Sequence, residues 1–270
     1  MDKVTVDGRE ISFRFQRSPN PNAPVILFVH GFPLDHSMWN EMDSLLDSCS
    51  LLSPDLPGFG NSASVGGDWS VAGFADALAG LLDELSIEAV IYCGLSMGGY
   101  IGWEFERRHA GRLTHLIACN TKAAGDDEMT KRARGFSATA VLANGVDQAC
   151  DTILPKLFAA ASRENQAQRV EQIVQVMKSC RAPSFAAGQR MMANRHDHDD
   201  RLAMIQVPTL VVSGEHDVIT PPDMMSEMAG KISGARFHEI PSAGHLAPVE
   251  RPQEFVSIVR NFIGHPDASK

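Results

Sequence analysis

No stretch of this chain approaches the run of about 18 apolar residues that a membrane span requires. The opening Met-Asp-Lys-Val-Thr-Val-Asp-Gly-Arg-Glu has no apolar centre of the kind a signal peptide carries. Basic residues are in deficit: 24 Lys and Arg stand against 33 Asp and Glu, a formal charge of −9 with a pI near 5.5. Phosphate binding runs on surplus Lys and Arg, so the balance speaks against a nucleic-acid or anionic-membrane partner. The five cysteines (Cys49, Cys93, Cys119, Cys150, Cys180) are odd in number, widely spaced and without a C-x-x-C pair. They read as reduced core thiols of a cytoplasmic protein, not as a disulfide frame or a zinc site. Internal repeats and low-complexity tracts are missing too. What remains, 270 residues with 44% apolar and 21% charged side chains, suits one large globular domain with room for an insertion.

Strand and helix signals alternate at both ends. Residues 4–6 and 11–15 flank Asp7-Gly8, a pair suited to a turn with positive φ, and read as a hairpin. Val25-Ile26-Leu27-Phe28-Val29 is a continuous apolar run, as in a strand covered on both faces of a parallel sheet. A further strand runs through Leu51-Leu52-Ser53. Val71, Phe74, Ala75, Leu78, Leu81, Leu82 and Leu85 fall on one helical face behind a candidate N-cap, Ser70. Strands at 89–93 and 113–119 bracket a helix at 97–109. The unit returns with strands at 209–212 and 235–240, a helix at 222–232 and a last helix opened by Pro252. That last helix is expected to bury Phe255, Ile258, Val259, Phe262 and Ile263. Alternation at this spacing predicts an α/β fold with a mostly parallel, doubly covered sheet.

The middle of the chain breaks the alternation. Helical stretches at 129–144, 146–158, 164–178 and 184–193, with no strand among them, predict a helical lid over the edge where such sheets bind ligands. The expected division is a core of residues 1–121 and 203–270 and a lid of 122–202. Phe136, Phe158, Met177, Phe185, Met191 and Met192 are its candidate pocket-lining residues.

The chemistry-bearing signal is Gly94-Leu95-Ser96-Met97-Gly98-Gly99 between a predicted strand and a predicted helix, the setting that G-x-S-x-G requires. A Ser in so tight a turn leaves its neighbours at 94 and 98 little room for a Cβ. A serine hydroxyl needs a base, and that base an orienting acid, from later strand ends. Asp217 follows the strand at 209–212 and His245 follows the strand ending at 240, in the order Ser, Asp, His. Glu215 is a rival acid that sits closer to the strand and shapes its turn; His238 is a rival base held inside a strand. Oxyanion donors are expected from the Met97 N–H and, in the loop His30-Gly31-Phe32-Pro33, from the Phe32 N–H. Pro33 should hold Phe32 extended, and His30 should brace the loop. His196-Asp197-His198-Asp199-Asp200 reads as a capping turn rather than a metal site.

Together with Asp55-Leu56-Pro57-Gly58-Phe59-Gly60-Asn61-Ser62 and Gly244-His245…Pro248…Glu250-Arg251-Pro252, these motifs resemble the α/β-hydrolase superfamily. The resemblance implies a mostly parallel eight-stranded sheet with flanking helices and a helical lid, and gives residues 55–62 no triad role; the glycines at 58 and 60 read as a tight bracing loop. Its nearest branch is that of 3-oxoadipate enol-lactonases and small carboxylesterases. The implied activity is hydrolysis of a small ester or lactone with Ser96, His245 and Asp217, and no cofactor or metal. Ser at 96 departs from the Asp of haloalkane dehalogenases and epoxide hydrolases and from the Cys of dienelactone hydrolases. The alternatives are a C–C bond hydrolase of ring-cleavage products, a cofactor-free perhydrolase or haloperoxidase, and a hydrolase-fold receptor with little turnover. Phe32, where haloperoxidases are expected to carry Trp, weakens the haloperoxidase reading.

Overall fold

In the computed structural model, which describes residues 1–63 and 69–264, strands β1 (Asp2–Val6) and β2 (Arg9–Gln16) form the expected hairpin. Asp7 and Gly8 both take positive φ, 48° and 75°. Next come β3 (Val25–Val29), a 3-10 helix (His36–Leu45), β4 (Ser50–Pro54), α1 (Val71–Glu84), β5 (Val90–Leu95), α2 (Met97–His109) and β6 (Leu113–Cys119). Five helices follow: α3 (Glu128–Asn144), α4 (Asp147–Leu157), α5 (Ala160–Asn165), α6 (Ala167–Ser179) and α7 (Ala182–Ala193). The chain closes with β7 (Thr209–Gly214), α8 (Pro222–Gly230), β8 (Arg236–Ile240), α9 (Ala247–Glu250) and α10 (Pro252–Gly264). The end of the range assigned to the core from sequence, 265–270, lies outside the described residues.

The eight strands form one sheet in the order β1-β2-β4-β3-β5-β6-β7-β8, antiparallel at β1/β2 and β2/β4 and parallel from β4 onward. Alternate side chains of β3 supply the two faces. Leu27 and Val29 join α1 and α2 on one side; Ile26 and Phe28 join the 3-10 helix and α10 on the other. Being covered on both faces, β5 buries every residue, the reason its sequence is an unbroken apolar run. The α1 helix begins where the Ser70 side chain accepts the Gly73 N–H. The α10 helix buries Phe255, Val256, Val259 and Phe262; Ile258 and Ile263 are only half-buried, and Val256 takes the inward place.

Between β6 and β7 the regular elements are all helices, with no strand among the described residues. The single helix expected at 164–178 is two, because Gln166 leaves helical geometry (φ −127°, ψ 42°) and its side chain bonds Glu250 O and Arg169. All five cysteines are free; four are buried, and Cys180 is half-exposed rather than in the core. No helix among the described residues is long and apolar enough to cross a membrane.

Candidate active site

Ser96 stands between β5 and α2 at φ 53° and ψ −111°, a backbone state sparsely populated by non-glycine residues. Sterics explain the glycines around it. A Cβ at 94 would collide with the backbone of Gly98, and one at 98 with the Val29 carbonyl. The strained turn is pinned by the Ser96 N–H donating to Cys119 O over 2.9 Å and by the Thr121 hydroxyl donating to Ser96 O over 2.8 Å. Ser96 stays partly exposed, and Met97, as the first residue of α2, has an N–H without an intrahelical acceptor.

The three residues singled out by chain order meet here. The His245 Nε2 lies 2.9 Å from Ser96 Oγ, and its Nδ1 lies 2.8 Å from Asp217 Oδ2. Asp217 and His245 are 3% and 2% exposed, so water scarcely competes for these bonds. Asp217 Oδ1 accepts the Ile219 and Thr220 N–H groups at 2.8 and 3.0 Å. Its Oδ2 takes the Thr220 hydroxyl at 2.6 Å and the Asn120 amide at 2.9 Å as well as the imidazole. Burial pushes the carboxyl pKa up, but the His245 interaction and these bonds outweigh it and bring it down to about 2. An ionised carboxylate can only accept, so Nδ1 carries the proton and Nε2 is left to accept from the serine hydroxyl. The rivals lie elsewhere: Glu215 accepts the Ser242 N–H at 2.7 Å, shaping its turn, and His238 is exposed on β8.

The loop after β3 runs alongside this turn. His30 is buried; its Nε2 accepts the Leu56 N–H at 3.0 Å and its Nδ1 donates to Gly31 O at 2.9 Å. Burial lowers its pKa, which favours this neutral bracing form. The Phe32–Pro33 peptide bond is cis. The Phe32 ring is gripped edge-on by Phe185 of α7 (centroids 4.6 Å) and Phe59 (6.0 Å). Asp55 holds the neighbouring loop, accepting His36 Nδ1 at 2.7 Å and the N–H groups of His36 and Asn61 at 2.9 and 2.8 Å.

The candidate pocket residues separate. Phe136 does not line a pocket: it is 77% exposed on the outer face of α3, whose inner face carries Ala138 and Val141. Residue type suggested a pocket, but helical phase placed the ring in solvent. Phe185 touches Phe32, and the Phe158 backbone, with its ring buried, lies against Gly244, next to His245. Met177 is buried in the same apolar cluster as Phe158 and Phe185; Met191 and Met192 join the one containing Met97 and Tyr100. The 196–200 segment is not a ligand cluster. His198 meets Glu104 at 3.0 Å, while Asp197 accepts the Gly125 and Asp199 N–H groups. Among the described residues the only group spaced to hold a metal is Asp35, His36 and Asp55, whose members are already engaged with one another and with backbone amides.

Sequence reasoning passed over two residues that complete the site: Asn120 and Thr220. Asn120 was visible as a polar residue directly after β6, and its φ of 43° is one that Asn tolerates. Its partner, however, is 97 positions away. Thr220 lay three residues beyond Asp217, a spacing that suits a turn bond.

A mostly parallel eight-stranded sheet with Ser, His and Asp converging at its strand ends defines an α/β hydrolase. The model of the alpha/beta hydrolase family matches residues 26–258, and the chain belongs to that family. It is similar to 3-oxoadipate enol-lactonase 1 of Acinetobacter baylyi, at 28% identity over 90% of this chain and 89% of that one. Among solved structures it resembles a thermophilic esterase from Thermogutta terrifontis (malate bound), with TM-score 0.94 and 34% identity over 98% of both chains. It also resembles the enol-lactonase from Burkholderia xenovorans LB400, with TM-score 0.91 and 29% identity over 98% of this chain and all of that one.

Proposed function

We propose that this chain is a serine hydrolase that cleaves a small carboxylic ester or an (enol-)lactone through an acyl-enzyme. The observation that carries the reading is the position of His245, bonded on one side to a partly exposed serine hydroxyl and on the other to a buried, ionised Asp217. Ser96 Oγ attacks the substrate carbonyl as His245 Nε2 takes its proton. Asp217 holds the imidazole tautomer and steadies the imidazolium. The Phe32 and Met97 N–H groups receive the oxyanion, and the α2 N-terminus adds partial positive charge. His245 then protonates the leaving alkoxide. Water, deprotonated by the same base, releases the acid and restores Ser96.

Esterases and enol-lactonases among the relatives support a small-molecule ester or lactone as substrate. In this reading residues 122–202 act as the lid, and Phe185 seats it against the Phe32 loop. The test is a turnover screen over acyl-chain length and lactone ring size, with Ser96→Ala as the control. Saturable, multiple turnover of an ester or lactone that Ser96→Ala abolishes supports the reading. Turnover retained in the variant overturns it.

A further inference from the structure

Glu250 belongs to the Gly244-His245…Glu250-Arg251-Pro252 motif, yet it touches neither Ser96 nor Asp217 in any bond described above. Its side chain is 1% exposed. One carboxylate oxygen accepts the Gly244 N–H over 2.7 Å, and the other accepts the Ala159 N–H over 2.9 Å. Gly244 immediately precedes His245. Ala159 lies in the short extended connection between α4 and α5, where Phe158 has φ −119° and ψ 145°. Leu246, on the other side of His245, donates its N–H to Leu157 O over 3.0 Å. The residues flanking the imidazole are thus both fastened to one strap, residues 157–159, of the helical insertion. The contact is direct: a Cβ on Gly244 would come within 2.5 Å of the Ala159 nitrogen and 2.7 Å of the Phe158 carbonyl carbon.

A buried carboxylate is an expensive way to join two surfaces, and burial indeed pushes the Glu250 pKa above its ordinary value. Apolar side chains would hold the strap to the core as well. What they would not do is accept two amide protons from two different segments and so set the distance between those segments.

We propose that Glu250 is a positioning residue that keeps the His245 imidazole in line with Ser96 and ties that alignment to the placement of strap 157–159. Movement of the insertion then reaches the base through the two amide bonds. The proposal rests on the hydrolase reading only for its kinetic test.

Glu250→Gln is the informative variant. Glutamine offers one carbonyl oxygen where two are needed, and its NH2 group faces an N–H. For the ester or lactone turned over by the native chain, kcat should fall by on the order of 100-fold, as a misplacement near 1 Å does, with KM within about twofold. Independently of turnover, the low-field proton resonance of His245 Nδ1–H bonded to Asp217 should shift or broaden, identified by its loss in His245→Ala. If Glu250→Gln does not fold, Glu250→Asp, whose shorter arm reaches one amide at a time, carries the same expectations. A folded variant with native kcat and an unmoved resonance overturns the proposal, whatever its melting temperature. Should the native chain hydrolyse nothing, the hydrolase reading fails and the resonance alone decides on Glu250.

Discussion

Asn120 donates its side-chain amide to Asp217 Oδ2 over 2.9 Å, the same oxygen that holds the His245 imidazole. The two residues follow the adjacent parallel strands β6 and β7, whose register sets the strand ends side by side, and the turn in which the Asp217 N–H donates to Gly214 O brings the carboxylate to the amide. The same amide reaches Gly244 O at 3.3 Å, touching the histidine loop as well. Asn120→Gly tolerates the φ of 43° and removes only the side chain. It should lower kcat/KM roughly tenfold, equivalent to about 1.4 kcal/mol, as befits one hydrogen bond to a charged group. The Asp217 carboxyl should also titrate above its native value of about 2, as read by NMR. Unchanged kinetics together with an unchanged titration would remove Asn120 from the site.

Ser96→Ala should reduce kcat by at least about 10⁴-fold, since the nucleophile has no substitute. Folding should survive. Alanine cannot relieve the backbone strain at φ 53°, and the pinning bonds from Thr121 and to Cys119 use only the backbone of residue 96. A fluorophosphonate that labels the native chain and not the variant is the accompanying measurement.

Stability toward acid depends on the Asp217 carboxylate. Asp217 is depressed to about 2, so its contribution to stability is present above its unfolded value near 3.9 and is lost as pH falls toward 2. That contribution is about 2 kcal/mol. Denaturant unfolding should therefore weaken between about pH 4 and pH 2 in the native chain and more gently in Asp217→Asn. An equal fall in Asp217→Asn, or stability that stays flat between about pH 4 and pH 2, would take the depressed carboxyl out of this account.

The seat of the insertion depends on Gly188. In α7 a Cβ there would come within 2.8 Å of the Phe32 ring and 3.2 Å of Phe59. Gly188→Ala gains helix propensity of about 1 kcal/mol but must push the Phe32 ring. We expect kcat to fall severalfold with little change in helical content by circular dichroism; an unaltered kcat would mean that the ring moves without its backbone.

Phe136→Ser is the contrasting case. With the ring 77% exposed, kinetic constants should stay within about twofold and stability within about 0.5 kcal/mol. A marked rise in KM would return Phe136 to the substrate path.

Local stereochemistry and chain order were enough to predict the alternating elements, the strained Ser96 turn with its two glycines, and the candidates Asp217 and His245. Periods of two and 3.6 residues, turn residues and strand ends are properties of short segments, and the sequence writes them out directly. Other features depend on contacts between distant segments: the facing of Phe136, the break at Gln166, the Asn120 amide on Asp217, and Glu250 spanning strap and histidine loop. Helical phase relative to a neighbour and the direction of a buried hydrogen bond arise only when the sheet register and helix packing are complete. No single stretch of chain encodes them, so only the tertiary structure decided these.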